Sequence, residues 1–177
     1  MSSRVLSNPS DLFFAIGDTL IATIPGIDVG NYDEFEGALS DATVLIEFER
    51  SSPATRDNTG RYAHDYAITL HATVALWRKY APLEAINLCG VIERVADTNC
   101  WGLPPDQIDM PRDMHASPSI FQKGNRGYEA WGVTFHQTIY LGESWALEDP
   151  VTVAGPQIAN AWQVDTTDPY QYQPLIE

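Results

Sequence analysis

The chain has 177 residues, 44% hydrophobic and 11% aromatic, which suits one folded domain with a real core. Its formal net charge is -14, from 24 acidic and 10 basic residues. A surface of that sign repels phosphate backbones and excludes nucleic-acid binding driven by counterion release, while letting DNA slide past without sticking; it also serves solubility.

Asn8-Pro9-Ser10-Asp11 predicts a helix start, with Asn8 as cap, Pro9 at the first helical position and Asp11 at the positive end of the dipole. Leu12, Phe13, Ile16, Leu20 and Ile24 then recur at helical spacing, and Pro25-Gly26 stops the helix. The connector IDVGNYDEFEGALSDA is acidic, has no Lys or Arg, and is expected to be a solvent-facing loop with at most a short strand or turn.

Thr43 to Glu49 (TVLIEFE) and Tyr62 to Trp77 (YAHDYAITLHATVALW) are predicted strands. In the second, the even positions Tyr62, Tyr66, Ile68, Leu70, Ala72, Val74 and Leu76 are apolar, whereas Asp65, Thr69, His71 and Thr73 sit at odd ones. The polar segment SSPATRDNTGR between them predicts a long hairpin with a mobile tip. Arg50, Arg56 and Arg61 gather at this tip with Glu49 and Asp57, a positive spot on an acidic body. Such a spot either docks onto an acidic neighbour, another copy included, or keeps a loop soluble.

Tyr80-Ala81-Pro82 breaks the chain, and LEAINLCGVIERVADTN predicts a second helix. Leu88, Val91 or Ile92, and Val95 share one face, Cys89 is expected in the core, and Gly90 is expected to pack closely on the sheet. From Thr98 to Arg126 four prolines interrupt any period, which predicts a long loop with one helical turn near Pro105 to Ile108. Gly127 to Leu141 is a third strong strand: Trp131, Val133, Phe135, Ile139 and Leu141 alternate with Thr134, His136 and Thr138, and Gly132 marks a possible bulge position. The remainder, to Glu177, is an acidic, proline-broken arm carrying Trp145, Trp162, Tyr170 and Tyr172, aromatics expected to pack on their own domain or on a neighbour.

These elements predict an α+β single domain over 1–142, with a mainly antiparallel sheet of about four strands, a long β-hairpin and two flanking helices, followed by an extended C-terminal arm over 143–177. No repeat or low-complexity tract is visible.

Chemistry is sparse. Cys89 and Cys100 form neither a disulfide framework nor a zinc ribbon and fit a reduced setting. His71 and His136 both fall on strands that would bring the imidazoles near each other if paired. Yet no HxH, HExxH or CxxC pattern supplies a third metal ligand. No GxSxG elbow, catalytic cysteine signature or phosphate-cradling glycine loop is present. Glu47 and Glu49 alternate on one strand, as solvated carboxylates also do. The expectation is a protein without cofactor, metal or catalytic residues. The start MSSRVLSNPS lacks an apolar core and no run reaches roughly 18 apolar residues, so a soluble protein working inside the producing cell, or in a particle assembled there, is expected.

The opening helix ending at Ile24-Pro25-Gly26, the TVLIEFE strand, HDYAITLHATVAL after a polar loop, the helix LEAINLCGVIERV and the strand GYEAWGVTFHQTIYL together resemble the tail-terminator proteins of long-tailed bacteriophages, the group of the lambda-type minor tail protein U. The resemblance spans residues 8 to 142 and rests on element order and strand character. It implies a virion protein of the tail and neck region, assembled in the host cytoplasm as a homohexameric ring on the last tail-tube ring. Such a ring stops tube polymerisation and offers a surface to the neck or head-completion protein, with DNA passing through unread and no membrane involved. The implied partners are another copy, the tail-tube protein, in contractile tails the sheath, and the neck protein. On that model Arg50, Arg56, Asp57 and Arg61 meet the tube or an adjacent subunit, and part of the acidic surface lines the channel. The 98–126 segment and the arm are longer than in compact members, and neck, collar and baseplate adaptors are built from related domains; an adaptor is therefore the alternative. A small metal-dependent hydrolase using His71, His136 and nearby carboxylates is a rival of another class, and a small-molecule-binding domain a third.

Overall fold

The computed structural model describes residues 6–34, 41–119 and 127–142, together with the backbone of 157–159 and 172–174. In chain order the elements are α1 (Pro9–Thr23), β1 (Asp28–Asn31), β2 (Ala42–Ala54), β3 (Tyr62–Ala75), α2 (Ala81–Ala96), β4 (Arg112–Pro118), β5 (Tyr128–Leu141), β6 (Gln157–Ala159) and β7 (Tyr172–Pro174). The first seven form an α+β domain around one sheet of order β1-β2-β3-β5-β4, antiparallel except for the parallel β1–β2 pair. The chain divides into two units, Met1–Trp145 and Ala146–Glu177; in the second, β6 and β7 pair antiparallel.

α1 starts where the Asp11 carboxylate accepts hydrogen bonds from the Ser7 and Asn8 N–H groups, at 2.9 and 2.8 Å. It buries Leu12, Ile16 and Leu20 against the sheet face formed by Val44, Ile46, Ile68, Leu70, Val133 and Phe135. α2 covers the same face through Ala81, Ala85, Cys89, Ile92 and Ala96. Of the expected face, Leu88, Val91 or Ile92, and Val95, only Ile92 is fully buried; Leu88, Val91 and Val95 are partly buried, and the rest of the stripe is made of small residues that let the helix lie close to the strands. Cys89 is a core residue as expected, at 2% exposure. Gly90 is not in close contact, however: a Cβ there would meet nothing within 4 Å.

The sheet has five strands where about four are expected. The acidic connector supplies β1, a four-residue edge strand that aligns Val29 with Val44 and Gly30 with Leu45. The presumed long loop supplies the other edge, β4, set against β5 with an irregular register between Arg112 and His115, where Asp113 has φ 54°. Pro111 precedes and Pro118 ends a mostly exposed strand there, so neither composition nor period betrays it. β2 runs on past Glu49 to Ala54 because Glu49 is an extra residue between the paired Phe48 and Arg50. β3 ends at Ala75, leaving Leu76 and Trp77 outside the ladder.

The expected turn before Ile108 is present, Gln107 N–H donating to Pro104 C=O at 2.9 Å, and Ile108 forms an isolated bridge with Ile139. The segment is anchored by buried amides. Gln137, fully buried, accepts from Trp101 Nε1 at 2.8 Å and donates to the carbonyls of Asn99 and Asp109 at 3.1 and 2.9 Å. Gln107 exchanges hydrogen bonds with both backbone groups of Leu6. Residues 99–109 are therefore anchored to the domain's core through Trp101, Leu103, Gln107 and Ile108.

Candidate functional site

The face of the sheet away from the helices carries the polar side chains. On β3 the residues Ala67, Thr69, His71, Thr73 and Ala75 point to it and are all buried, although no helix packs there among the described residues. His71 is roofed by the Tyr32 ring, stacked with centroids 4.7 Å apart.

Three hydrogen-bonded groups lie along this face. At one end His71 Nε2 is 2.7 Å from Glu47 Oε2 and its Nδ1 is 3.0 Å from Ser119 Oγ. In the middle Thr69 and Thr134 share a 2.6 Å hydroxyl contact, and Thr69 also donates to Glu49. At the other end Asp65 takes Arg112 at 2.6 Å, His136 Nδ1 at 3.1 Å and Thr138 Oγ1 at 3.3 Å.

The two histidines do not come together. His71 stands opposite Gly132, whereas His136 stands opposite Ala67, four residues along β3 or about 13 Å. The Thr69–Thr134 rung lies between them, and each imidazole has its own carboxylate. Among the described residues no group of three or more His, Cys, Asp or Glu side chains is placed to hold a metal ion.

Hydroxyl, imidazole and carboxylate in line at Ser119, His71 and Glu47 have the order a nucleophilic serine needs. The same three side chains also meet structural needs. Ser119 N–H donates to Ala130 C=O at 2.9 Å and so is unavailable to an oxyanion. Tyr32 covers the imidazole face, and Ser119 Oγ would lie only 2.7 Å from a Cβ at position 132. The line satisfies an imidazole that is 7% exposed. Gly132 is thus no bulge: it pairs in regular register with His71 and leaves room for Ser119.

The hairpin tip holds Arg56, Asp57 and Arg61, with Arg50 on β2 beside it. The Asp57 carboxylate accepts from Thr59 N–H, Thr59 Oγ1 and Arg61 N–H, at 3.0, 2.7 and 2.9 Å, and these bonds, led by the Thr59 hydroxyl, hold its pKa below the usual carboxylate range. Arg56 donates to Gly60 C=O at 2.8 Å and lies over the Tyr62 ring. Arg61 pairs with Asp106 at 2.8 Å, its side chain only 14% exposed, and pins the tip to the 99–109 segment. Arg50 and Arg56 are exposed, so the positive spot presents two arginines outward and uses the third internally.

Of the arm aromatics, Trp145, Trp162 and Tyr170 lie outside the described residues, and for Tyr172 only the backbone, in β7, is described. Burial, helped by Glu93, pushes the Cys89 thiol up to about 11, and burial with Asp109 raises Cys100, so both are thiols rather than thiolates at neutral pH.

Two surfaces not foreseen from the sequence stand out. Leu76, Trp77, Tyr80, Leu83 and Ile86 are all exposed at the β3–α2 junction. The available signal was the run of large apolar residues continuing past the last paired strand position. The second is an open cavity of about 670 Å³ at the start of α1, where Phe13, Phe14, Phe48 and Tyr66 bring their rings together beside the exposed Asp33 and Glu34.

No protein-family model matches this chain, and neither does any curated protein. Among the described residues no helix is long and apolar enough to cross a membrane.

Proposed function

We propose that the protein is a non-enzymatic virion component that closes into a homohexameric ring at the head-proximal end of a phage tail tube, ends tube growth and presents a surface to the neck. The observation that carries this reading is the order of elements on one sheet: α1, the long β2–β3 hairpin, α2 and β5. That is the order by which residues 8–142 resemble tail terminators. The exposed apolar run at residues 76–86 adds support, because apolar patches on a charged surface mark association sites. Its mechanism is geometric: a closed ring uses up the complementary surface that another tube ring would need. Arg50 and Arg56 face the tube or an adjacent subunit. The acidic surface lets DNA pass without being held.

Tail length in a deletion tests the reading. Overlong tubes are expected without the protein, and tubes of normal length that fail to join heads would instead identify a neck or collar adaptor. Replacing Arg50 and Arg56 by Ala is expected to leave the fold intact and to reduce the joining of heads to tails. Arg61 is excluded from that variant because its ion pair with Asp106 holds the tip in place.

A further inference from the structure

We propose that copies of this chain join head to tail, the Trp77–Tyr80 segment of one copy seating in the aromatic cavity of the next. This contact rests on the ring reading above and names the surfaces that would close the ring.

The two surfaces are distinct and complementary. Trp77, Lys79 and Tyr80 are exposed, and the Lys79 ammonium lies 5.1 Å from the Tyr80 ring centroid, so the segment offers aromatic area with a cation on it. The cavity offers Phe13, Phe14, Phe48 and Tyr66 as an aromatic lining and Asp33 and Glu34 as exposed negative charge. Tryptophan and tyrosine filling an apolar pocket with an opposite charge at its edge is the usual make-up of a contact that carries most of the binding energy.

Position also favours a heterologous contact. The cavity reaches from Tyr66 on β3 to Asn31, which is level with Leu70, and Ala75 is the last residue before the exposed segment, so the two surfaces are separate, about 15 to 30 Å apart along the strand direction. Different patches at opposite ends of an element generate rings when the rotation closes. A two-fold contact of the junction with itself would instead set Lys79 of each copy close to its counterpart, and like charges oppose that. Arg78 is already held by Glu84 and Asp41 within its own chain.

The test is sedimentation of the full chain over a concentration series, for the wild type, for Trp77→Ala with Lys79→Ala, and for Phe14→Ala with Glu34→Ala. Each variant is expected to need at least tenfold more protein to assemble than the wild type. Mixed together, the two are expected to form 1:1 dimers and stop, since one intact contact remains per pair. Variants that assemble as readily as the wild type, or a mixture that stays monomeric, would overturn the contact while leaving the ring reading standing. A wild type that never assembles would overturn both. Should a truncation lower the melting temperature markedly, the single reversals Lys79→Glu and Glu34→Lys replace it, each dispersing the ring alone and restoring it when mixed.

Discussion

Gly132 shows how much one missing methyl can decide. It sits in regular register opposite His71, and a Cβ there would come within 2.7 Å of Ser119 Oγ and 3.0 Å of Thr69 Cγ2. Two polar side chains and a strand edge share the space that glycine leaves, which is why β4 can close onto β5 just where His71 needs its second partner. Gly132→Ala is expected to cost about 1–3 kcal/mol through overpacking, read as a lower midpoint in urea unfolding; an unchanged midpoint would mean that Ser119 has no role in closing that edge. The sequence marks this glycine as unusual within a strand, but a bulge and a close approach look alike until the neighbouring strand is known. His71 and His136 carry the same lesson. Their alternation places both on one face, yet only the β3–β5 register separates them by two rungs and gives each a different carboxylate.

At the scale of elements, strong periods were legible, the β1 edge only as a short strand or turn in the acidic connector, and the β4 edge not at all. α1, the hairpin, α2 and β5 follow from runs whose apolar spacing matches helix or strand, since burial of one face is what forms them. β1 and β4 bury little and are short or irregular, so they are set by the exposed edges of β2 and β5 rather than by their own composition. The stripe of α2 is only partly legible: Cys89 and Ile92 are buried as expected, but the alanines that complete it weigh little in any hydrophobic count while fitting best against the sheet. That geometry turns Leu83 and Ile86 outward, where they extend the exposed junction. It also leaves open space around Gly90. Gly90→Ala is therefore expected to raise stability by up to about 1 kcal/mol, seen as a higher thermal midpoint. A loss of stability would show that the helix backbone there needs freedom or room not apparent from its packing.

Among the described residues, the sheet has one face packed by the helices and one carrying hydrogen-bonded polar groups beside a small apolar cluster, and two exposed apolar surfaces lie beyond these. One exposes aromatics with a lysine, and the other holds an aromatic cavity beside two carboxylates. Only the run of large apolar residues past Ala75 hinted at the first surface in the sequence, because both surfaces depend on where β3 stops and on which residues α1 and the hairpin bring together. The overall charge of -14 was legible, and it opposes holding a phosphate backbone. A molecule with matched but different ends is suited to closed assembly.

Electron imaging of the purified full chain at high concentration tests that central claim most directly. Closed rings with a central hole and six-fold symmetry are the expected result. A population that remains monomeric at every concentration examined would contradict the account.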